Sequence, residues 1–258
     1  MADARTEDQI LDWVREEYAY PFAGWDFSHL QDRCDEYGEL PFDYDGECVS
    51  RIRKSRHVVD IGTGDGVRFA AFLREAGIPR PAAATEGYPP NQVLARTNLE
   101  PLGMQAVDGC GTEPLPSGSA DLILARHAGF DPPDTFRVLE AGGTWVTEQV
   151  GDQTNLEIHQ ALDAPINPTV GYNSLQTARA QVGAAGFEIE RAEEGLTGGR
   201  YHDVGILAWY LKAISWEIPD FTVNAYAEQL LRLHRRIERE GPLDVRFHTI
   251  LIVAHRPL

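Results

Sequence analysis

Near the start of the chain, apolar side chains recur at Ile10, Val14 and Tyr18 with Leu11 beside them, a spacing that predicts an amphipathic helix over 6–20 with Thr6 as its N-cap. Past Pro21 the periodicity gives way to an irregular aromatic stretch holding Phe22, Trp25, Phe27, Tyr37, Phe42 and Tyr44. From His57 onward short apolar runs alternate with helical patterns, which predicts an α/β architecture around a parallel sheet. Strands are expected over 57–61, 82–86, 104–107, 121–125, 144–150, 187–191 and 247–254, and helices over 66–76, 91–99, 133–139, 175–185 and 223–240. Two segments stand outside this alternation, 151–174 and 196–222, the second with an apolar helix-like run from Val204 to Ile214. Both follow strands on the side where α/β folds hold their ligands, so they are read as cap insertions. The expected organisation is an N-terminal acidic helix and lid segment over 1–50, then one α/β domain over 51–258 carrying the caps.

Charge narrows the function classes. Of 258 residues 40 are acidic and 23 are Lys or Arg, a formal charge of -17. Fourteen acids against three Arg lie in residues 1–50, which therefore carry -11 of it. Affinity for nucleic acid comes largely from neutralising phosphates, so a general nucleic-acid partner is not expected. No apolar run approaches the roughly 18 residues that span a bilayer, and the acidic N-terminus lacks the features of a signal peptide. A soluble, cytoplasmic protein with no membrane partner is the expectation. Cys34, Cys48 and Cys110 are spaced neither as a disulfide framework nor as a zinc knuckle, and the histidines show no ligand spacing, so no metal is expected.

The strongest local signal is the run His57-Val58-Val59-Asp60-Ile61-Gly62-Thr63-Gly64-Asp65-Gly66, a strand that ends in glycines and opens into the helix beginning Val67-Arg68-Phe69. Such glycines let the backbone turn tightly and let a ligand approach, while the helix offers free N–H groups. A nucleotide-like cofactor is expected there. A dinucleotide fingerprint places its third glycine five positions after the first, which here is Val67; Gly66 comes at four, which disfavours NAD and FAD. Glu86 stands twenty residues past Gly66 at the end of the next strand, where a carboxylate accepts ribose hydroxyls. Asp108 ends the strand after that, placed to accept from the exocyclic amine of adenine.

Taken in order with Leu115-Pro116 and Leu139-Glu140-Ala141-Gly142-Gly143, these pieces resemble class I S-adenosylmethionine-dependent methyltransferases of the small-molecule type over roughly residues 55–192. The resemblance implies a Rossmann-like seven-stranded sheet in the order 3-2-1-4-5-7-6 with its last strand antiparallel, flanked by helices. It implies S-adenosylmethionine as cofactor, with Asp60 ordering the glycine loop and meeting the methionine amine. Gly62, Thr63 and Gly64 would line the cofactor, Glu86 with Gly87 its ribose, Asp108 with Gly109 its adenine, and Arg126 would contribute as well. The phrases Pro21-Phe22-Ala23-Gly24-Trp25-Asp26-Phe27-Ser28, Ala84-Thr85-Glu86-Gly87-Tyr88-Pro89-Pro90-Asn91, Arg126-His127 and Thr147-Glu148-Gln149-Val150-Gly151 further resemble a bacterial subgroup of that family. Ala128 and Glu148 depart from its pattern of Glu and Gln at those places, so the subgroup's acceptor chemistry does not carry over.

Methyl transfer needs an oriented acceptor and, for a hydroxyl or ammonium, a proton acceptor. His127 and Glu148, just past strands four and five, are the candidate catalytic residues. Neighbours on a strand face opposite ways, so only one of Glu148 and Gln149 is expected to face the site. His159, alone in the first cap insertion, is a weaker candidate. Trp25, Phe27, Gln149 and Tyr172 are expected to contact the acceptor, the aromatics as a cap over a planar or cationic small molecule. The function expected is therefore methylation of an O or N atom of a small-molecule acceptor. Methylation of a protein, peptide or rRNA, and cofactor binding without turnover, are the alternatives.

Overall fold

A computed structural model describes residues 5–77, 81–166 and 174–258. In chain order the elements are α1 (Glu7–Ala19), β1 (Cys34–Tyr37), α2 (Tyr44–Ile52), β2 (Val58–Ile61), α3 (Val67–Ala76), β3 (Ala82–Glu86), α4 (Pro89–Leu99), β4 (Gln105–Asp108) and β5 (Ala120–Arg126). They continue with α5 (Pro132–Val138), β6 (Leu139–Val150), α6 (Leu156–Ala161), α7 (Leu175–Ala184), β7 (Glu188–Tyr201), α8 (Val204–Ala213), α9 (Ala227–Glu240) and β8 (Leu243–His255).

The sheet has eight strands in the order β1-β7-β8-β6-β5-β2-β3-β4. The seven-strand expectation is thus corrected at one edge. The additional strand is β1, which pairs antiparallel with the last four residues of β7. β2, β3, β4, β5 and β6 run parallel, and β8 lies antiparallel to β6. The chain divides into two compact units. One comprises 1–39, 153–172 and 196–248; the other comprises 40–152, 173–195 and 249–258. Residues 40–50 therefore group with the glycine-loop unit, and β7 and β8 contribute residues to both.

In the glycine-loop unit, strand alternation sorts the core into two layers. Val58, Leu122, Leu124, Val146 and Leu251 pack with Cys48, Val49 and Ile52 of α2, with Phe69 and Leu73 of α3, and with Leu99 of α4. Their sequence neighbours Val59, Ile123, Trp145 and Ile250 pack with Val138 of α5 and with Ala178 and Val182 of α7. Each buried aliphatic or aromatic side chain contributes about 1.5–3 kcal/mol relative to exposure, so reversing strand register would forfeit both layers. In the other unit α8 is buried along nearly its whole length, with Ile10 and Val14 of α1 and Leu230 and Leu233 of α9 in the same core. Thr6 caps α1 through a reciprocal pair of bonds with Gln9. No described helix is long and apolar enough to cross a membrane.

Candidate functional site

The glycine loop follows β2 at the carboxyl ends of the parallel strands. Gly62, Gly64 and Gly66 all take positive φ, at 63°, 65° and 79°, a conformation costly for residues with a Cβ. At Gly62 the requirement is also steric, because a Cβ would stand 2.5 Å from the Ala128 Cβ. At Gly64 a Cβ would meet nothing within 4 Å, so the backbone there is open to close approach. The loop is tied to β3 by two bonds: the Thr63 N–H donates to the Thr85 carbonyl at 3.0 Å and the Gly64 N–H to Glu86 Oε2 at 2.7 Å. The other Glu86 oxygen accepts the Tyr88 N–H at 2.7 Å. A buried carboxylate thus stands at the loop's edge, with further lone pairs for hydroxyl donors. Gly87 is glycine for a local reason, since a Cβ would fall 2.3 Å from Cys110 Sγ.

Asp60 is the penultimate residue of β2, one position before Ile61 and the turn. The residue keeps some solvent contact, yet desolvation of its carboxyl raises the pKa from 3.8 to about 7; the Thr63 hydroxyl opposes the rise, Glu86 adds to it and Arg68 opposes it. Among the described residues Asp60 forms no ion pair. Asp108 is exposed and ion-paired through Oδ1 with Arg96 of α4, which leaves Oδ2 for an incoming amine. The Gly109 N–H donates to the Glu86 carbonyl at 3.0 Å, joining the third loop to the second.

Arg126 and Glu148 are register partners on β5 and β6. Arg126 Nε lies 2.7 Å from Glu148 Oε1, so the guanidinium directly holds this carboxylate. Glu148 is 4% exposed, and desolvation raises its carboxyl above the ordinary value while Arg126 opposes the rise. His127 turns sharply out of β5 at φ 49°, its N–H donating to the Glu148 carbonyl at 2.8 Å. Its Nε2 is 3.5 Å from Glu148 Oε1, too far for a strong hydrogen bond. Although its side chain is 37% exposed, desolvation together with Arg126 and Arg68 lowers the imidazole to about 3, so the ring is neutral near pH 7. Gln149 faces the other way: its amide donates to Thr147 at 2.9 Å, on the layer that holds Trp145. Glu148 shares its layer with Val146, Asp60 with Val58, and Arg126 with Leu124.

Sequence reasoning missed Cys48 and Arg68, and it left Tyr44 in an irregular aromatic stretch rather than on α2. Tyr44 and Cys48 of α2 are buried near Asp60 and Glu148, whose charges help hold the phenol and thiol well above their ordinary values, chiefly because both are desolvated. Arg68, paired with Asp45 at 2.7 Å, adds positive potential to the same region. The signal for α2 was present, with Asp43 as N-cap and Tyr44, Cys48, Val49 and Ile52 spaced for one buried face. The expected acceptor contacts Trp25 and Phe27 lie in the other unit. There Trp25 stacks on Phe27 with ring centroids 6.3 Å apart and meets Trp216 edge-on at 5.7 Å. Tyr172 lies outside the described residues.

No protein-family model matches the sequence, and no curated protein matches it by sequence. Solved structures do match in fold. A candidate methyltransferase of Bacillus halodurans is 15% identical with a TM-score of 0.58, over 83% of this chain and 99% of that one. A candidate methyltransferase of Haloferax volcanii, solved with the Trm112 methyltransferase activator, is 17% identical with a TM-score of 0.53, over 98% of both chains. The chain has the class I methyltransferase fold. That fold is not tied to one reaction: the cyclase SpnF shares it at 15% identity and a TM-score of 0.54, over 99% of this chain and 98% of that one.

Proposed function

We propose that the protein transfers the methyl group of S-adenosylmethionine to an O or N atom of a small molecule. The observation that carries this reading is the open, positive-φ glycine loop bounded by Glu86 and by the Asp60 carboxyl, which has no ion pair among the described residues. These residues fit the cofactor: Glu86 for ribose hydroxyls, Asp108 for the adenine amine, Asp60 for the amino group, and Gly62 to Gly64 for close backbone approach. When bound, S-adenosylmethionine supplies a methyl carbon made electrophilic by its sulfonium.

The chain's own part is orientation and proton removal. Glu148 is the better proton acceptor of the two candidates. Its carboxyl is raised, whereas an imidazole lowered to about 3 is neutral but too weakly basic to draw a proton at neutral pH. Arg126 holds Glu148 through one oxygen and so serves the base rather than the cofactor. His127 then shapes the wall of the site. A small-molecule acceptor alone is the narrower reading of partners, because the Haloferax volcanii neighbour is bound to a protein activator; co-purification of a host protein with this chain would widen it.

Thermal unfolding with S-adenosylmethionine, S-adenosylhomocysteine and NAD tests the cofactor. Either sulfur ligand at a hundred times its dissociation constant should stabilise the fold by about 2.7 kcal/mol, NAD should not, and Glu86→Ala should remove the gain. Absence of a shift with both sulfur ligands would overturn the proposal. Acceptor-dependent release of S-adenosylhomocysteine then separates transfer from silent binding.

A further inference from the structure

The unit that contains α8 holds a buried ionisable pair that the methyl-transfer reading does not use. His159, near the end of α6, is 5% exposed, and Glu217, in the turn after α8, is 1% exposed. His159 Nδ1 is 3.0 Å from the Pro165 carbonyl oxygen and Nε2 is 3.0 Å from Glu217 Oε1. A carbonyl can only accept, so Nδ1 must carry hydrogen. The contact at Nε2 then needs a second proton, either on the imidazole facing a carboxylate or on the carboxyl facing a neutral ring. Without that proton a lone pair would face a carboxylate across 3.0 Å in a buried site, and the contact would be repulsive.

We propose that the His159–Glu217 pair is a proton-held latch that closes α6 and the following chain through Pro165 onto the turn after α8, and that rising pH opens it. The direction follows from the hydrogen bond to Glu217, which raises the imidazole above its ordinary value against desolvation. Stability from the pair is complete below the unfolded value near 6.5 and is lost as pH rises through the folded one.

Among the described residues of this unit, nearby phenols and a thiol are raised above that window. Tyr210 of α8 faces Glu217 and is hydrogen-bonded by Asn155 and Tyr201, and burial pushes its phenol up to about 12. Burial likewise raises Tyr201 well above its ordinary value and takes the Cys34 thiol of β1 to about 11. At the rim, Glu157 pairs with Arg246 and Asp163 with Arg232. His248 of β8 accepts the Gln153 N–H through Nδ1 at 3.4 Å.

Hydrogen exchange on the full chain tests the latch with no ligand added. Peptides over 155–166 report its opening, and peptides over 228–240 of α9 in the same unit serve as the reference. After correction for intrinsic exchange, the opening constant of 155–166 should grow by up to about tenfold per pH unit above the unfolded value near 6.5, where opening releases the pair's one proton, while that of α9 stays level. In Glu217→Gln the amide can donate to a neutral Nε2 while Nδ1–H keeps Pro165, so closure should persist without the pH slope. A level constant for 155–166, an equal rise in both regions, or an undiminished slope in the variant would each refute the latch. The wild-type comparison decides alone if the variant does not fold. Since no cofactor takes part, failure here leaves the methyl-transfer reading untouched, and failure of cofactor binding leaves the latch intact.

Discussion

At the scale of single residues the site turns on carboxyl groups in unequal surroundings. Glu86 accepts two backbone N–H groups and belongs to the scaffold of the loop as much as to any ligand. Asp60 has no such support, and desolvation takes it from 3.8 to about 7. The sign of the consequence is fixed: a carboxyl raised on folding favours the fold below its unfolded value, and that share is lost as pH rises from 3.8 to about 7. A bound ammonium should reverse the shift by making the ionised form the favoured one. Affinity for S-adenosylhomocysteine, which carries the amine without the reactive methyl, should therefore climb up to about tenfold per pH unit below about 7 and then level off. Titration calorimetry across that range checks the slope, and Asp60→Asn should bind more weakly with no slope. Equal slopes in both proteins would remove Asp60 from the amine. The sequence placed Asp60, Glu86 and Asp108 at the ends of consecutive strands because strand ends are marked by glycine and by the loss of apolar runs. It could not place the Arg126 guanidinium on Glu148 or the Arg96 guanidinium on Asp108, because those pairings depend on which strands and helices become neighbours.

At the scale of elements, the parallel core was legible because a strand buried on both faces needs unbroken apolar runs such as Val58-Val59 and Leu122-Ile123-Leu124. The misreadings came where pairing rather than burial makes the strand. β1, Cys-Asp-Glu-Tyr, is mostly exposed and shows no apolar alternation, since backbone pairing with β7 rather than burial makes it a strand. The far end of β7, which holds Gly198 and Gly199, was read as cap because 196–222 stands outside the alternation of strands and helices. In the structure these two residues are glycines so that aromatic rings can lie against the strand. A Cβ on Gly198 would stand 2.2 Å from the Tyr37 ring, and one on Gly199 2.7 Å from the Phe247 ring. Gly198→Ala should therefore destabilise by about 1–3 kcal/mol through overpacking, despite alanine's better strand propensity. Urea unfolding measures it, and Tyr37→Ala in the same chain should recover part of the loss, because the clash needs both partners. A neutral Gly198→Ala would mean that the exposed Tyr37 ring swings aside without cost.

At the scale of the whole molecule, charge is the dominant unbalanced quantity. Most of the arginines are engaged: Arg33 bridges Glu17 and Asp203, Arg51 bridges Glu47 and Glu190, Arg191 bridges Glu47 and Glu193, and Arg232 and Arg235 pair with Asp163 and Glu7. With 40 acids to 23 Lys and Arg, even complete pairing would leave carboxylates that repel one another across the surface. Two opposed salt effects follow. Exposed pairs contribute roughly 0–1 kcal/mol each and weaken when screened, whereas the net repulsion of -17 acts over longer distances and is relieved by the same screening. Because the Debye length falls from about 30 Å at 0.01 M to about 10 Å at 0.1 M, the long-range repulsion is removed first and the close pairs survive. The unfolding midpoint should thus rise as sodium chloride goes from about 0.01 M to about 0.1 M, and change little beyond. A midpoint that falls over that interval would show that the ion pairs outweigh the excess charge, so that the acidic surface is held together by its arginines rather than strained by its acids.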